Sequence, residues 1–189
     1  MTRVSTAASA TPAYIAMLLA RLPAGLILNV GAGSGACESR GRTVVHVDHA
    51  PTMRGPSFVV GDVLALPFAN GAFDGALLKD VIEHVEDCVG ALAEVRRVTK
   101  GGGSAVVQVP RAIPRAVWDD PTHVRGFTAH ALVEALKLAG WRPMGHPRRV
   151  GGFPGAGRFH LEPWLPAIMR APGIGHWLGT NWLLAAEAA

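Results

Sequence analysis

Three glycines alternate with small residues directly after an apolar run, at Gly31, Gly33 and Gly35. Glycine permits a tight turn and lets a ligand approach the backbone, and the helix that follows such a turn offers free N–H groups. Asp48 ends the next β-branched run, where a carboxylate can accept hydrogen bonds from both hydroxyls of a ribose. A further glycine–aspartate turn, residues 61–62, ends the third run. Together the three turns predict a nucleotide-binding site.

Two histidines are candidates for acid–base chemistry. His84 follows Glu83 after the fourth apolar run, and His123 lies in the loop after the fifth. An imidazole can take a proton near neutral pH, which suits a general base. We expect His123 to act as a general base or as a hydrogen-bond partner of the substrate. The alternative is a structural role, in which His123 only holds its loop in place. For His84 the alternative is a packing and hydrogen-bonding role.

The same region contains a pattern that suits a metal ion. Asp80 precedes Glu83 by three residues and His84 by four, so on a helix all three would share one face. With His123 folded over them, they would form a site of two histidines and two carboxylates. A metal-free Glu-His pair is the alternative reading.

Short apolar runs alternate with helical patterns, which is typical of βαβ units and a parallel sheet. The expected strands are residues 26–30, 43–47, 58–60, 73–78, 104–109 and 141–150, with a closing strand at 181–186. The expected helices begin at Pro12 and cover 86–99 and 129–139, the last capped by Thr128, and glycines 101–103 are expected to stop the second helix. The sequence therefore predicts a single α/β domain over residues 1–189: a Rossmann-like, doubly wound, mostly parallel sheet of about seven strands with helices on both faces.

Several segments resemble the motifs of class I S-adenosylmethionine-dependent methyltransferases, in particular the small bacterial, type 11-like ones. They are the glycine segment 28–35, the acidic strand end 46–48, segment 61–68, the Glu-His stretch 79–85 and the glycine-rich segment 98–103. The resemblance covers about residues 12–150. A dinucleotide fold would instead favour a G-x-G-x-x-G loop, and a nicotinamide-dependent enzyme remains a third reading.

The resemblance implies S-adenosylmethionine as the cofactor. Its implied binding residues lie in the glycine loop and at the strand ends: Gly31, Ala32, Gly33, Ser34, Gly35, Asp48, His49, Gly61, Asp62, Val63 and Lys79. The implied catalytic residues are His123, His84 and Asp80, and a divalent metal is a secondary expectation. Asn29 stands where the family often has an acidic residue, so its role as a direct ligand is in doubt.

The charge distribution, the cysteine count and the length of the apolar runs limit which kinds of partner the protein is expected to have. The first 94 residues carry nine acidic and six basic residues, and the remaining 95 carry five acidic and twelve basic, mostly scattered arginines. A scattered basic excess does not favour a nucleic-acid-binding arm. Two cysteines exclude a disulfide framework, and no window reaches the ~18 apolar residues of a membrane span. We expect a cytoplasmic protein with a small-molecule acceptor, no nucleic-acid partner and no membrane segment; the sequence leaves the oligomeric state open.

The tail is the expected acceptor side. Residues 1–11 are expected to be a flexible terminus, residues 151–179 a substrate lid, and 180–187 the last strand. Arginines of the tail, Arg148, Arg149 and Arg158, are expected to line an acceptor pocket with some of its tryptophans. In-line methyl transfer depends largely on positioning. We predict that the protein methylates a small molecule, with oxygen as the first expected target. N-methylation and a non-catalytic cofactor-binding module are the alternatives.

Overall fold

In the computed structural model, the described residues are 12–33, 41–50, 55–113, 117–150 and 179–189. Several predictions lie outside them. These are the flexible terminus, Ser34 and Gly35 of the glycine loop, Arg158, and nearly all of the expected lid.

Seven strands form one sheet. They are β1 (Gly25–Val30), β2 (Arg42–Asp48), β3 (Phe58–Val60), β4 (Phe73–Lys79), β5 (Thr99–Pro110), β6 (Trp141–Val150) and β7 (Asn181–Ala188), in the spatial order β3-β2-β1-β4-β5-β7-β6. The pairs β2–β3, β1–β2, β1–β4 and β4–β5 are parallel. β7 runs antiparallel to both β5 and β6, so the sheet is mixed. The predicted mostly parallel sheet of about seven strands is confirmed.

In the described part of the chain, three helices and one 3-10 turn precede or connect the strands. They are α1 (Pro12–Leu19), the 3-10 turn (Ile82–His84), α2 (Cys88–Val98) and α3 (Ala129–Leu138). The hydroxyl of Thr128 accepts from Ala131 N at 3.1 Å, which confirms the predicted cap. None of the described helices is long and apolar enough to cross a bilayer.

Helices cover both faces of the sheet. Neighbouring side chains of a strand point to opposite faces. In β1, Ile27 packs in the cluster that holds Leu18 and Leu19 of α1, whereas Leu28 packs in the cluster that holds residues of α2 and α3. The predicted doubly wound arrangement is therefore confirmed.

Three local predictions were wrong. α2 begins at Cys88 rather than at residue 86, because the carboxylate of Asp87 caps it by accepting from Gly90 N at 2.8 Å. The three glycines after α2 do not stop the helix but lie inside β5, where a Cβ on Gly103 would come within 2.8 Å of the Asp74 carbonyl oxygen. Leu138 continues the apolar pattern of Leu132, Val133 and Leu136 in α3, a pattern that predicts burial, but its side chain is 74% exposed.

Candidate active site

The carboxyl ends of β1, β2 and β4 meet where the strand order changes direction. β1 pairs with β2 on one side and with β4 on the other. Ligands of open α/β sheets bind in the crevice at such a switch point. The glycine loop follows β1, Asp48 ends β2 and Lys79 ends β4, so the topology brings these predicted residues to one edge.

Asp48 joins the turns that the sequence singled out. Its buried carboxylate accepts from Gly33 N at 2.8 Å and from Ala50 N at 3.1 Å, and its carbonyl accepts from Gly61 N at 3.0 Å. His49 is largely exposed, with its Nδ1 3.1 Å from the Asp48 carboxylate. One acidic residue thus holds the glycine loop and the turn after β3 beside the end of β2.

Two glycines of the loop differ in their surroundings. Gly31 has a φ of 64°, and a Cβ built on it would lie 2.4 Å from Cγ2 of Val81, which follows β4. Gly33 has a φ of 54°, and a Cβ there would have no atom of the described residues within 4 Å. Between them, Ala32 is buried and donates its N–H to Val47 O at 3.2 Å. The loop is therefore tight on its inner side and open at Gly33, which fits a nucleoside ligand approaching the backbone.

In the described part of the chain, three other predicted cofactor residues make no hydrogen bond to the glycine loop or to Asp48. Asp62 is exposed and its carboxylate accepts from Leu64 N at 2.9 Å, a bond that shapes the turn itself. Val63 packs partly against the core. The Lys79 amine pairs with the Asp80 carboxylate at the end of β4. Cofactor contacts from these three side chains remain predictions.

Asn29 is buried and faces a histidine instead of open space. Its Nδ2 lies 3.1 Å from Nδ1 of His46, its register partner across β1 and β2. An amide nitrogen only donates, so Nδ1 of His46 accepts and the ring is neutral. Burial lowers the pKa of His46, which favours this neutral form. The amide nitrogen of Asn29 therefore has a partner within the sheet.

Glu83, His84 and His123 converge beside the end of β4. One potential ligand atom from each lies within 4.8 Å of the other two, and the two imidazole centroids are 4.6 Å apart. Val124 N donates to Glu83 O at 2.9 Å, so a backbone hydrogen bond holds the loop that carries His123 against the 3-10 turn that carries Glu83 and His84. The expected folding of His123 over the Glu-His pair is present.

Hydrogen bonds fix the tautomers of both histidines. Nδ1 of His123 lies 2.6 Å from the Val117 carbonyl oxygen, and Nδ1 of His84 lies 3.3 Å from the Thr122 carbonyl oxygen. A carbonyl only accepts, so each Nδ1 carries a hydrogen. In the neutral rings the lone pair is therefore on Nε2. Burial, and secondarily His123, lowers the pKa of His84, which keeps that ring neutral.

Thr122 and Asp120 orient His84, and this role was not predicted. The Thr122 hydroxyl donates to the Asp120 carboxylate at 2.6 Å, so its oxygen accepts from Nδ1 of His84 at 3.0 Å. The signal was present in the sequence, since both residues lie in the loop that brings His123 to the site. Their contact with His84, 38 residues away, depends on the fold.

Glu83 is fully buried, and among the described residues neither of its carboxylate oxygens has a hydrogen-bond partner. Burial is the main cause that raises the pKa of Glu83 well above its usual value, and the negative charge of Asp80 adds to it. A buried carboxylate without partners is costly unless it is protonated or a cation neutralises it.

The expected shared helix face of Asp80, Glu83 and His84 is wrong. Asp80 has a φ of 54° and precedes the 3-10 turn, so it does not lie on a helix with His84. Its carboxylate accepts from Gln108 Nε2 at 3.1 Å and from Asn181 Nδ2 at 3.4 Å. These bonds turn it toward β5 and β7, and the cluster consists of Glu83, His84 and His123.

Comparison with known proteins agrees with this geometry. Residues 28–107 match the family described as "Methyltransferase domain". A demethylmenaquinone methyltransferase of Renibacterium salmoninarum is 37% identical over 98 residues, which cover 46% of this chain and 41% of the relative. These matches and the sheet topology support a class I S-adenosylmethionine-dependent methyltransferase.

Two further matches extend over most of this chain. An uncharacterized methyltransferase of Mycobacterium marinum is 31% identical over 174 residues, covering 85% of this chain and 63% of the relative. The crystal structure of a SAM-dependent methyltransferase from Archaeoglobus fulgidus superposes with a TM-score of 0.70 at 15% identity, covering 94% of each chain, and supports the fold. The chain spans about two fifths of the length of the first demethylmenaquinone relatives it matches.

The family supports S-adenosylmethionine as the cofactor, and the geometry fits that ligand. The open position at Gly33 and the strand-end carboxylate of Asp48 lie on one edge, as a nucleoside site requires. The family match ends at residue 107, before the loop of His123, so it does not cover that loop.

An arginine–tryptophan group lies at the far side of this edge. Cζ of Arg111 is 5.2 Å and Cζ of Arg149 is 5.6 Å from the centroid of the Trp182 ring. The Trp182 ring nitrogen donates to Phe127 O at 3.0 Å, which fixes the ring. Burial, and secondarily the charge of Arg149, lowers the pKa of Arg111. Arg149 was predicted as an acceptor-side residue, whereas the participation of Arg111 follows from the pairing of β5 with β7.

Proposed function

We propose that this protein transfers the methyl group of S-adenosylmethionine to a hydroxyl oxygen of a small-molecule acceptor. The observation that carries the proposal is the pair of imidazoles of His84 and His123, with ring centroids 4.6 Å apart, each with its Nδ1 on a carbonyl oxygen, which leaves Nε2 to act on an acceptor. Val81 connects this pair to the glycine loop, because it packs against Gly31 and precedes Glu83 by two residues.

The chain's part in the reaction is to orient the acceptor and to hold a proton. When bound, S-adenosylmethionine supplies an electrophilic methyl group on a sulfonium. Without a bound metal ion, Nε2 of His123 accepts the hydrogen bond of the acceptor hydroxyl and takes its proton as the oxygen–carbon bond forms. The sulfonium would supply the methyl group and keep the electron pair of the sulfur–carbon bond, while Nε2 of His123 would hold the proton that the hydroxyl loses.

Neighbouring residues position this pair. Asp120 and Thr122 hold His84 through Nδ1, so that its Nε2 is available to the acceptor. Asp80, which the sequence placed among the catalytic residues, we assign to positioning. Its bonds to Gln108 and Asn181 tie the turn after β4 to β5 and β7.

The acceptor is proposed to carry an aromatic or anionic group. Arg111 and Arg149 place positive charge over the face of Trp182, and such a surface suits a planar or negatively charged molecule. The relative named for demethylmenaquinone supports a small-molecule acceptor.

The test is turnover of a panel of phenols, aliphatic alcohols and amines, followed by release of S-adenosylhomocysteine and by product mass. His123→Asn is expected to lower kcat about 100- to 10,000-fold while S-adenosylhomocysteine affinity stays within threefold. His130→Asn, at an exposed position on α3, is the matched control and should behave as wild type.

Three results would count against the proposal. Wild-type kcat in His123→Asn removes the role of His123. Products methylated only at nitrogen replace O-methylation with the alternative. Bound S-adenosylhomocysteine without turnover of any acceptor favours a non-catalytic cofactor-binding module.

A further inference from the structure

We propose that Glu83, His84 and His123 form a binding site for one divalent transition-metal ion of the zinc class. A potential ligand atom from each of the three lies within 4.8 Å of the other two. Ligands about 2.0–2.2 Å from a tetrahedral ion are about 3.4 Å from one another. Side-chain rotations that move each atom by less than about 1 Å would therefore close the site.

The carboxylate is the first argument. Glu83 is fully buried, and in the described part of the chain no other residue donates a hydrogen bond to its two oxygens. The nearest lysine in sequence, Lys79, is paired with Asp80. A cation bound by Glu83 would supply the missing partner for a group whose burial is otherwise costly.

The histidines are the second argument. Histidines that bind metals almost always donate their other ring N–H to a carbonyl, carboxylate or water. Both rings have this arrangement, with Nδ1 of His123 on the Val117 carbonyl and Nδ1 of His84 on the Thr122 carbonyl and hydroxyl. Each ring thus keeps Nε2 for a ligand. The fixed rings lie on two segments joined by the Val124–Glu83 backbone bond, so both are held in place before any ion binds.

The ligand set selects the ion. Two imidazole nitrogens and one carboxylate favour zinc, cobalt or iron(II) over calcium and magnesium, which prefer oxygen ligands. Three protein ligands leave at least one coordination position open, as in catalytic zinc sites. Asp120 lies at the rim, with Oδ2 4.0 Å from Nε2 of His123.

The role of the ion in turnover rests on the proposed function. An acceptor hydroxyl oxygen in the open position would become more acidic, release its proton to solvent water and attack the methyl carbon as an oxyanion. In this loaded form His123 is a ligand, and the cation replaces it in activating the hydroxyl.

The experiment measures binding without cofactor or acceptor, so that it is independent of methyl transfer. Chelator-treated full-length protein is titrated with Zn²⁺ by calorimetry and with Co²⁺ by visible absorption. We expect one ion per chain and a Co²⁺ spectrum of low-symmetry nitrogen–oxygen ligation. Glu83→Gln and His84→Asn should each weaken binding at least tenfold, and His130→Asn should leave it unchanged.

Binding of Zn²⁺ or Co²⁺ that is unaffected by Glu83→Gln and His84→Asn would overturn the site. So would the absence of binding in folded wild-type protein, which would leave Glu83 as a protonated core residue. A third outcome concerns the role of the ion. If the protein binds the ion in the titration but turns over the acceptor at the full rate in the presence of a chelator, the ion does not activate the hydroxyl, and methyl transfer itself is supported.

Discussion

Replacing Gly31 and Gly33 separately by alanine tests whether the glycine loop serves packing at one position and ligand binding at the other. Both glycines have positive φ, so either alanine pays for a left-handed backbone, about 1–2 kcal/mol. The added methyl groups meet different surroundings. At Gly31 the methyl would lie 2.4 Å from Cγ2 of Val81, and at Gly33 it would meet no atom of the described part of the chain within 4 Å.

The expected free energies of unfolding differ accordingly. Val81 is β-branched and stiff, so Gly31→Ala adds an overpacking cost of about 1–3 kcal/mol to the backbone cost. Its total is roughly 2–5 kcal/mol, against about 1–2 kcal/mol for Gly33→Ala. For a chain of this size 1 kcal/mol corresponds to about 2–4 °C in Tm. Gly33→Ala should therefore fold well but carry a methyl group where the nucleoside is proposed to approach.

Denaturant unfolding and calorimetric titration with S-adenosylhomocysteine measure the two effects. Gly33→Ala is expected to lose at least tenfold in affinity with a small change in stability, and Gly31→Ala to lose mainly stability. If Gly33→Ala binds S-adenosylhomocysteine as tightly as wild type, the loop does not hold the ligand at that position. Equal stabilities of the two variants would refute the packing argument.

Asp48→Asn removes the charged acceptor of two backbone N–H groups, and each such hydrogen bond contributes about 1.5–3 kcal/mol to the stability of the folded state. In a calorimetric titration the variant should bind S-adenosylhomocysteine roughly 10- to 100-fold more weakly than wild type. Glu134→Gln, an exposed ion-pair carboxylate on α3, is the control, and equal affinities in the two variants would contradict the role of Asp48. Lowering the pH should destabilise the protein through His46, whose pKa is lowered by burial. A histidine in the unfolded chain has a pKa of about 6.5, so near pH 6 the unfolded state binds more protons than the native state. The free energy of unfolding therefore falls as the pH drops below about 6.5. His46→Gln should lose less stability than wild type between pH 7.5 and 5.5 in denaturant titrations, and an equal loss would exclude His46 as the cause.

The fold was largely predictable because its strands are short, apolar and separated by turn residues. The third strand, Phe58–Val60, has the predicted bounds, and the closing strand was located within two residues at its end. The errors occur where a local signal has two meanings. The three glycines after α2 have the composition of a helix stop, yet the close approach of Gly103 to the Asp74 carbonyl requires glycine inside a strand.

The cofactor side was more predictable than the acceptor side for a physical reason. Asp48 and the glycines act next to their own strand ends, so sequence order nearly determines their contacts. The histidine cluster depends on contacts across 38 residues and on the left-handed backbone of Asp80. No helical spacing rule anticipates that conformation, which is why the predicted shared face of Asp80 and His84 was wrong.

Val81 lies next to both the glycine loop and the 3-10 turn of the histidine cluster. Its side chain packs against Gly31 on the cofactor side, and the 3-10 turn that follows it carries Glu83 and His84 on the acceptor side. A shift of Val81 that relieved the clash in Gly31→Ala would therefore also move the histidine cluster. If the coupling holds, Gly31→Ala should weaken Co²⁺ binding at the cluster as well as stability, whereas Gly33→Ala should leave Co²⁺ binding unchanged. Co²⁺ titrations of the two alanine variants therefore show whether the glycine loop and the histidine cluster depend on each other or are independent.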